Sequence, residues 1–264
     1  MRGLSSESGA SPETAPLSAI VITRNEEAHI RDCLASVAFA REVIVVDSGS
    51  TDATVALAEA AGARVLRTTD WPGFGPQKNR ALAEATQPWV LSIDADERVS
   101  PQLRDEIVSV VNANAGGASA WAIPRRSSYC GQFMAHSGWY PDRVTRLFRR
   151  GSARFSDDVV HERLVTDGAP AHLKHDLLHL SFTDLESVLD KMNRYSTAGA
   201  LRLHQQGKTG SPARAVLHGL WAFIRTYVLQ RGFLDGRMGF ALAVSNAEGT
   251  YYRYLKLWLL QAKR

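Results

Sequence analysis

Trp89-Val-Leu-Ser-Ile-Asp-Ala-Asp96 is an apolar run that ends in two carboxylates, Asp94 and Asp96, separated by a single residue. The run is short and has no breaker, so it reads as a strand buried on both faces. Its acids fall where such a strand emerges, at the edge where open α/β sheets place their ligands. Two acids this close repel unless a cation lies between them. A divalent ion carrying a diphosphate suits such hard oxygen ligands. An acidic turn ahead of the helix that begins near Ser100-Pro101 would look the same, and the upstream segments decide between the two readings.

Three further strand candidates precede it: Leu17 to Ile22, Val43 to Val46, and the pair Val65-Leu66. Helical segments lie between them, carried by Ile30, Leu34 and Val37, by Thr54 to Ala61, and by Lys78 to Glu84. This alternation predicts an α/β fold with a parallel sheet and right-handed crossovers. Each strand runs out into polar residues: Thr23-Arg-Asn-Glu-Glu27, which also carries helix-start chemistry, then Asp47-Ser-Gly-Ser-Thr-Asp52, then the two acids. All three clusters should gather on one sheet edge. A nucleotide bound there would draw hydrogen bonds from Thr23, Asn25 and Glu26. Asp47 can accept from a uracil N3–H, and Gly49 allows close backbone approach.

Beyond Ser100 the pattern loosens. A helix is expected over Gln102 to Val111, with strand candidates at Trp121 to Pro124, Thr145 to Phe148 and Phe155 to Arg163 around a Gly151 turn. Helix signals dominate after Phe182, with Lys191 to Gln205 ending at Gly207, and 207–212 reads as a linker. The expected organisation is a disordered tail over 1–16, a main domain over 17–206 and a helical segment over 211–264.

The chain has 264 residues with 45% apolar content, enough for one large core plus an appendage. It contains no uninterrupted apolar run of the length that crosses a bilayer, and its start lacks a signal-peptide pattern, so a cytoplasmic location is expected. Cys33 and Cys130 stand far apart and read as free thiols. Residues 211–264 hold eight Lys/Arg against two acids, although the whole chain is only +4. They also hold Trp221, Phe223, Tyr227, Phe240, Tyr251, Tyr252 and Trp258. Basic plus aromatic residues on helices suit an anionic membrane surface. A helical pair forming a homodimer is the second reading. The aliphatic stretches Val216 to Leu229 and Leu255 to Leu260 argue against nucleic acid.

Taken together, Ile22-Thr-Arg-Asn-Glu26, Val45-Val-Asp-Ser-Gly-Ser-Thr-Asp52, Gln77-Lys-Asn-Arg80, Ser92-Ile-Asp-Ala-Asp-Glu97, Arg146-Leu-Phe148 and Val160-His-Glu162 resemble the pattern of family 2 glycosyltransferases over about residues 17–200. Within that family the chain is similar to the lipopolysaccharide core biosynthesis glycosyltransferases. The resemblance implies a GT-A fold, that is, a Rossmann-like, mostly parallel sheet flanked by helices. It also implies a UDP-sugar donor such as UDP-glucose, inversion at the anomeric carbon, a divalent Mg or Mn ion, and a lipid-linked saccharide acceptor at the inner face of the bacterial inner membrane. It gives Asp47 to the uracil, Glu26, Ser50 and Asp52 to the nucleoside region, Asp96 to the metal, and Asp94 to the ribose or to a place behind the ligands.

Such chemistry needs a base for the acceptor hydroxyl and cations for the departing diphosphate. Glu162 is the preferred base and Asp158 its competitor. Lys78 and Arg80 are candidates for the phosphates, and His179 for the metal or the diphosphate. Arg143, Arg146 and Arg149 would meet acceptor phosphates or form an outward strand face. His161-Glu162 is not a zinc-protease signature, because Val165 stands where the second His belongs. A nucleotidyltransferase or a non-catalytic sugar-nucleotide-binding protein at the membrane surface are the alternatives.

Overall fold

The computed structural model describes residues 14–113, 117–156 and 163–262. In chain order the elements are β1 (Ala15–Thr23), α1 (Ile30–Ser36), β2 (Ala40–Asp47), α2 (Thr54–Ala60), β3 (Arg64–Arg67), α3 (Phe74–Ala83), β4 (Trp89–Asp94), β5 (Glu97–Val99), α4 (Pro101–Asn112), β6 (Ala120–Tyr129), β7 (Gln132–Phe133), β8 (Asp142–Arg149), β9 (Ala153–Phe155), β10 (Leu164–Thr166), β11 (Ala171–His172), β12 (Leu177–Phe182), α5 (Leu185–Gln205), α6 (Pro212–Ile224) and α7 (Gly236–Ala262). A π turn, Arg225–Leu229, and a 3-10 turn, Gly232–Asp235, join α6 to α7. Two compact units form. One runs to Pro124 and resumes over Arg143–Leu177; the other takes Arg125–Asp142 and Leu178–Arg264.

In the first unit β1 is central, parallel to β2 on one side and to β4 on the other, with β3 parallel beyond β2 and β8 antiparallel beyond β4. The register aligns Thr23 with Asp47 and Ile22 with Asp94, so the ends of three parallel strands share one edge. Strand alternation sends successive side chains to opposite faces. Ile20, Ile44, Val46 and Val90 join Ala81 of α3 in one cluster, whereas Ala19, Val21, Val45 and Leu91 join Leu34 of α1 and Leu103 and Ile107 of α4 in another. Both faces are buried, which explains why these strands read as continuous apolar runs. Each fully buried side chain such as Ile44 or Leu91 contributes about 1.5–3 kcal/mol. Helix α4 starts as its sequence requires: Ser100 Oγ accepts from Leu103 N at 3.3 Å, with Pro101 in the first turn.

The structure differs from the sequence reading in several places. Ala15 and Pro16, read with the tail, belong to β1, and Ala15 N donates to Phe39 O at 2.8 Å. The residues after Thr23 do not start a helix. Helix α1 begins only at Ile30, with no side-chain cap. Strand β6 continues past Pro124 to Tyr129.

The second unit contains α5, α6 and α7 with the second half of β6, β7 and most of β12. Helix α5 groups with the C-terminal helices, and the 207–212 segment read as a linker lies inside this unit. Asp184 and Ser211 cap α5 and α6, accepting from Ser187 N at 2.8 Å and Arg214 N at 3.2 Å. Gly219 allows α6 to approach α7, since a Cβ there would lie 3.2 Å from Ala247 O. Tyr129, Met134, Val188 and Leu242 form the apolar centre.

Candidate active site

The loops that follow β1 and β2 are stitched to each other. Asn25 Oδ1 accepts from Thr51 N at 2.8 Å, while Asn25 N donates to Ser50 Oγ at 2.8 Å. Asn25 adopts a left-handed backbone (φ 56°), a conformation that Asn tolerates better than most residues. Glu26 N donates to Thr54 Oγ1 at 2.7 Å, Glu27 N to Asp52 Oδ2 at 3.2 Å, and Ala53 N to Glu27 Oε2 at 3.0 Å. The polar run 24–27 therefore spends its hydrogen bonds on the neighbouring loop, which is why it caps no helix. Asp52 also accepts from Thr54 N and Thr54 Oγ1, and the Thr54 hydroxyl holds its carboxyl below the usual range.

Asp47 organises the second loop. Its Oδ1 accepts from Gly49 N at 3.1 Å and Ser50 N at 2.9 Å, and its Oδ2 from Thr23 Oγ1 at 3.2 Å and from Ser50 Oγ. Those four donors fill the acceptor capacity of a carboxylate. A uracil N3–H would have to replace one of them. Gly49 has φ +81°, which permits the tight turn. Gln77 of α3 supports this loop, donating from Nε2 to Ser48 Oγ at 2.8 Å and Thr68 Oγ1 at 2.6 Å.

At the end of β4, Asp94 lies between two cations. Lys78 Nζ is 3.0 Å from its Oδ1, and Arg146 Nη2 bonds its Oδ2 and also Glu97 Oε1 at 2.7 Å. Glu97 Oε2 accepts from Asp94 N at 3.0 Å. Burial alone would raise the Asp94 carboxyl, but Arg146 and Lys78 overcome it and hold it well below the ordinary carboxylate range. Arg146 is held above its ordinary value, as Asp94 and Glu97 outweigh its desolvation. Arg146 and Lys78 are only 7% and 4% exposed. The surface role read for Arg146, on acceptor phosphates, is thereby corrected: it is an internal counterion. Arg143 donates to Leu173 O at 3.2 Å, and Arg149 lies over the Trp89 ring.

Glu26 stands among carboxylates. Its pKa is pushed up to about 7, first by burial, then by Asp96, Asp52 and Asp94, against a smaller opposing pull from Arg98. Asp94 is held by Lys78 and Arg146, and the acids that bear on Glu26 most strongly are Asp96 and Asp52. Among the described residues no group of three His, Cys, Asp or Glu side chains forms a metal cage. One or two carboxylates beside a diphosphate is, however, the usual way a protein holds Mg²⁺, and this edge fits that pattern.

The remaining expected residues lie as follows. Arg80 forms a bidentate pair with Asp70 at 2.8 and 2.7 Å and reaches Gln77 Oε1 at 2.9 Å. His179 belongs to the second unit, its Nδ1 2.8 Å from Ser127 Oγ. Glu162 and Asp158 lie outside the described residues. Sequence reasoning passed over Gln77, Glu97 and Arg98 as individuals, although the first two were inside quoted motifs. Arg98 bonds Ala95 O and His29 O, both at 2.8 Å, which fixes the turn carrying Asp96.

Comparison with known proteins supplies the decision. The sequence profile of Glycosyl transferase family 2 matches residues 18–169, more than half of the chain. This chain is a family 2 glycosyltransferase. It is 32% identical over 249 residues to the lipopolysaccharide core biosynthesis glycosyltransferase LpsC of Rhizobium meliloti (strain 1021), covering 92% of each chain. It is also 33% identical over 258 residues to an uncharacterized glycosyltransferase, RP128, of Rickettsia prowazekii (strain Madrid E), covering 94% of this chain and 88% of that one. Among solved structures, glucosyl-3-phosphoglycerate synthase from Mycobacterium tuberculosis with Mn²⁺, UDP and glucosyl-3-phosphoglycerate matches at 28% identity and TM-score 0.35, covering 43% of this chain and 44% of that one. S. aureus TarS 1-349 matches at 16% identity and TM-score 0.47 over 94% of this chain and 92% of its own. The glycosyltransferase's first unit has the mostly parallel, helix-flanked sheet of the GT-A fold, and a helical C-terminal segment follows.

Proposed function

We propose that this glycosyltransferase moves a hexose, with inversion at the anomeric carbon, from UDP-glucose or a related UDP-hexose to a lipid-linked glycan of the lipopolysaccharide inner-core kind. The observation that carries it is the shared edge on which the stitched β1 and β2 loops stand beside Asp94 and Asp96. In this reading Asp47 takes the uracil N3–H in place of the Ser50 hydroxyl. Thr23, Asn25, Ser50 and Asp52 keep the loops in shape around the nucleoside. Asp96, with Glu26 nearby, would hold a divalent Mg or Mn ion, which when bound would supply the charge that offsets the departing diphosphate. Asp94, fixed by Lys78 and Arg146, sets the position of the turn that presents Asp96. Glu162 takes the acceptor proton, with Asp158 as the second candidate.

Contact with a membrane surface is supported by the second unit. On α6, Val216, Leu217, Leu220 and Trp221 are each more than half exposed, and Leu229, Leu234 and Phe240 of the same unit are exposed as well. No helix among the described residues is long and apolar enough to cross a membrane. A helix face this apolar on a basic segment suits attachment in the plane of an anionic bilayer. Sedimentation with phosphatidylglycerol vesicles tests it: Leu217→Glu with Leu220→Glu should release the full chain, and retention would reverse the reading.

A donor screen by UDP release, with extracted core lipid in Mn²⁺, Mg²⁺ or EDTA, tests the transfer itself. Asp96→Ala should lose ion-dependent donor binding. Glu162→Gln should keep donor affinity and lose transfer, and near-normal turnover in that variant would remove Glu162 as the base.

A further inference from the structure

The second unit holds a cavity of about 590 Å³, within the range of pockets that take small-molecule ligands. Lys191, Arg225, Arg253 and His218 line it, and no carboxylate does. Arg253 Nε is buried with no hydrogen-bond partner, and a Cβ at Gly199 would come within 2.7 Å of it, so α5 packs directly on this guanidinium. Arg225 makes no ion pair among the described residues. A buried donor without a partner is costly, and at Arg253 it lies in a cavity that the exposed Arg225 also lines. It is a reason to look for an anionic ligand.

The backbone around the cavity is unusual in the way functional sites often are. Arg225 opens a π turn, an irregularity frequently found at such sites. Ser137, on the opposite strand-derived loop of the same unit, has φ 62° and donates from N to Gln230 O at 2.9 Å; Arg231 has φ 56°. Both are non-glycine residues in the left-handed region, where strain persists only if the surroundings enforce it. The enforcement comes from Asp235, which is 7% exposed and accepts from Ala135 N, His136 N and Ser137 Oγ at 3.0, 3.0 and 2.9 Å. The lining is aromatic as well as basic: Trp139 and Trp221 contribute, and the Tyr254 ring stacks on His218 at 3.9 Å. Trp221 is also 54% exposed and continuous along α6 with exposed Leu217 and Leu220. The ligand therefore has an anionic group, a ring or two with apolar faces, and an apolar continuation.

We propose that this cavity binds the phosphate- or carboxylate-bearing saccharide headgroup of an anionic glycolipid. It rests on the reading above that the acceptor is lipid-linked, and assigns that acceptor's charged sugar to Arg225 and Arg253. Calorimetry on the full chain can test it with glucose 6-phosphate, glucose, inorganic phosphate and UDP as separate titrants, and with phosphatidylglycerol vesicles as a fifth. Glucose 6-phosphate should bind more tightly than either glucose or inorganic phosphate. Arg253→Gln should weaken it by about tenfold or more and leave UDP binding unchanged. Arg225→Gln, at an exposed position where folding is not at stake, should weaken it in the same direction. The proposal is overturned if both variants stay within about twofold of the parent, if inorganic phosphate binds as well as the sugar phosphate, or if the variants lose only vesicle binding, which would make the arginines readers of the bilayer. Absence of UDP binding and of UDP-hexose hydrolysis in the parent protein would instead strike the transferase reading and leave the cavity result standing.

Discussion

Replacing Arg146 with Met should cost the first unit about 3 kcal/mol of stability. Removing one member of a buried ion pair typically costs about 3–5 kcal/mol, because a charge is left behind without its partner. Here one guanidinium serves two carboxylates, Asp94 and the fully buried Glu97. Two features pull the cost toward the lower end. Lys78 Nζ remains 3.0 Å from Asp94, and Arg146 Nε is itself buried without a hydrogen bond, so Met also removes an unsatisfied donor. Arg146→Lys should cost less, about 1–2 kcal/mol, since charge is kept while the rigid guanidinium whose Nη2 bridges both acids is lost. Urea unfolding followed by circular dichroism at neutral pH measures both. The pH dependence supplies a second check. Asp94 is depressed in the folded state, so its contribution is present above the ordinary carboxylate range and is lost as pH falls below about 4 toward the folded value. Arg146→Met should flatten that acid loss. A variant that loses less than about 1 kcal/mol at neutral pH, with the acid slope of the parent, would refute the internal-counterion account.

Gly239→Ala should be far more damaging than an ordinary glycine replacement within a helix, because the new Cβ would lie 1.9 Å from Gly232 O and 2.9 Å from Asp235 Cβ. A fall in thermal midpoint equivalent to about 3 kcal/mol or more is expected, and a midpoint unchanged from the parent would contradict the packing of the 3-10 turn on α7. The Cys33 thiol, fully buried with its pKa pushed up to about 12 by desolvation, should resist Ellman's reagent at pH 8 until urea is added. Fast modification in the native protein would show that the α1 side of the sheet opens readily. Asp235→Asn keeps the shape but weakens the four contacts that Ala135 N, His136 N, His136 Nδ1 and Ser137 Oγ make with the carboxylate, which should cost about 2 kcal/mol, read by the same unfolding assay.

The central strands were legible because burial on both faces leaves an unmistakable trace: Ile20 to Ile22, Val43 to Val46 and Trp89 to Ile93 carry almost no polar residue until the sheet edge. The edge was legible too, because Glu26 follows the first run, Asp47 and Asp52 the second, and Asp94 and Asp96 the third. Less visible was how that edge is held. Asn25 and Glu27 look like helix-start residues, and only the parallel register brings them against residues 50–53. Arg146 looked like one of three surface arginines on a strand. Its burial depends on partners 52 and 49 residues away in sequence, a separation at which periodicity carries no information. Pro124 looked like a strand end, but β6 passes through it. The C-terminal helices were read from helix signals, charge and aromatic content, none of which says anything about the 125–142 segment that joins them.

The stitching between the first two loops bears on the thermodynamics of whatever settles there. Asn25, Asp47 and Asp52 already satisfy the backbone donors of Thr51, Ser50 and Thr54 before any guest arrives. Fixing those residues is part of folding, so association need not immobilise them a second time. Tightness at this seat is therefore governed by the guest's own contacts, and a substitution that loosens either loop transfers an entropic debt from the folding reaction to every encounter.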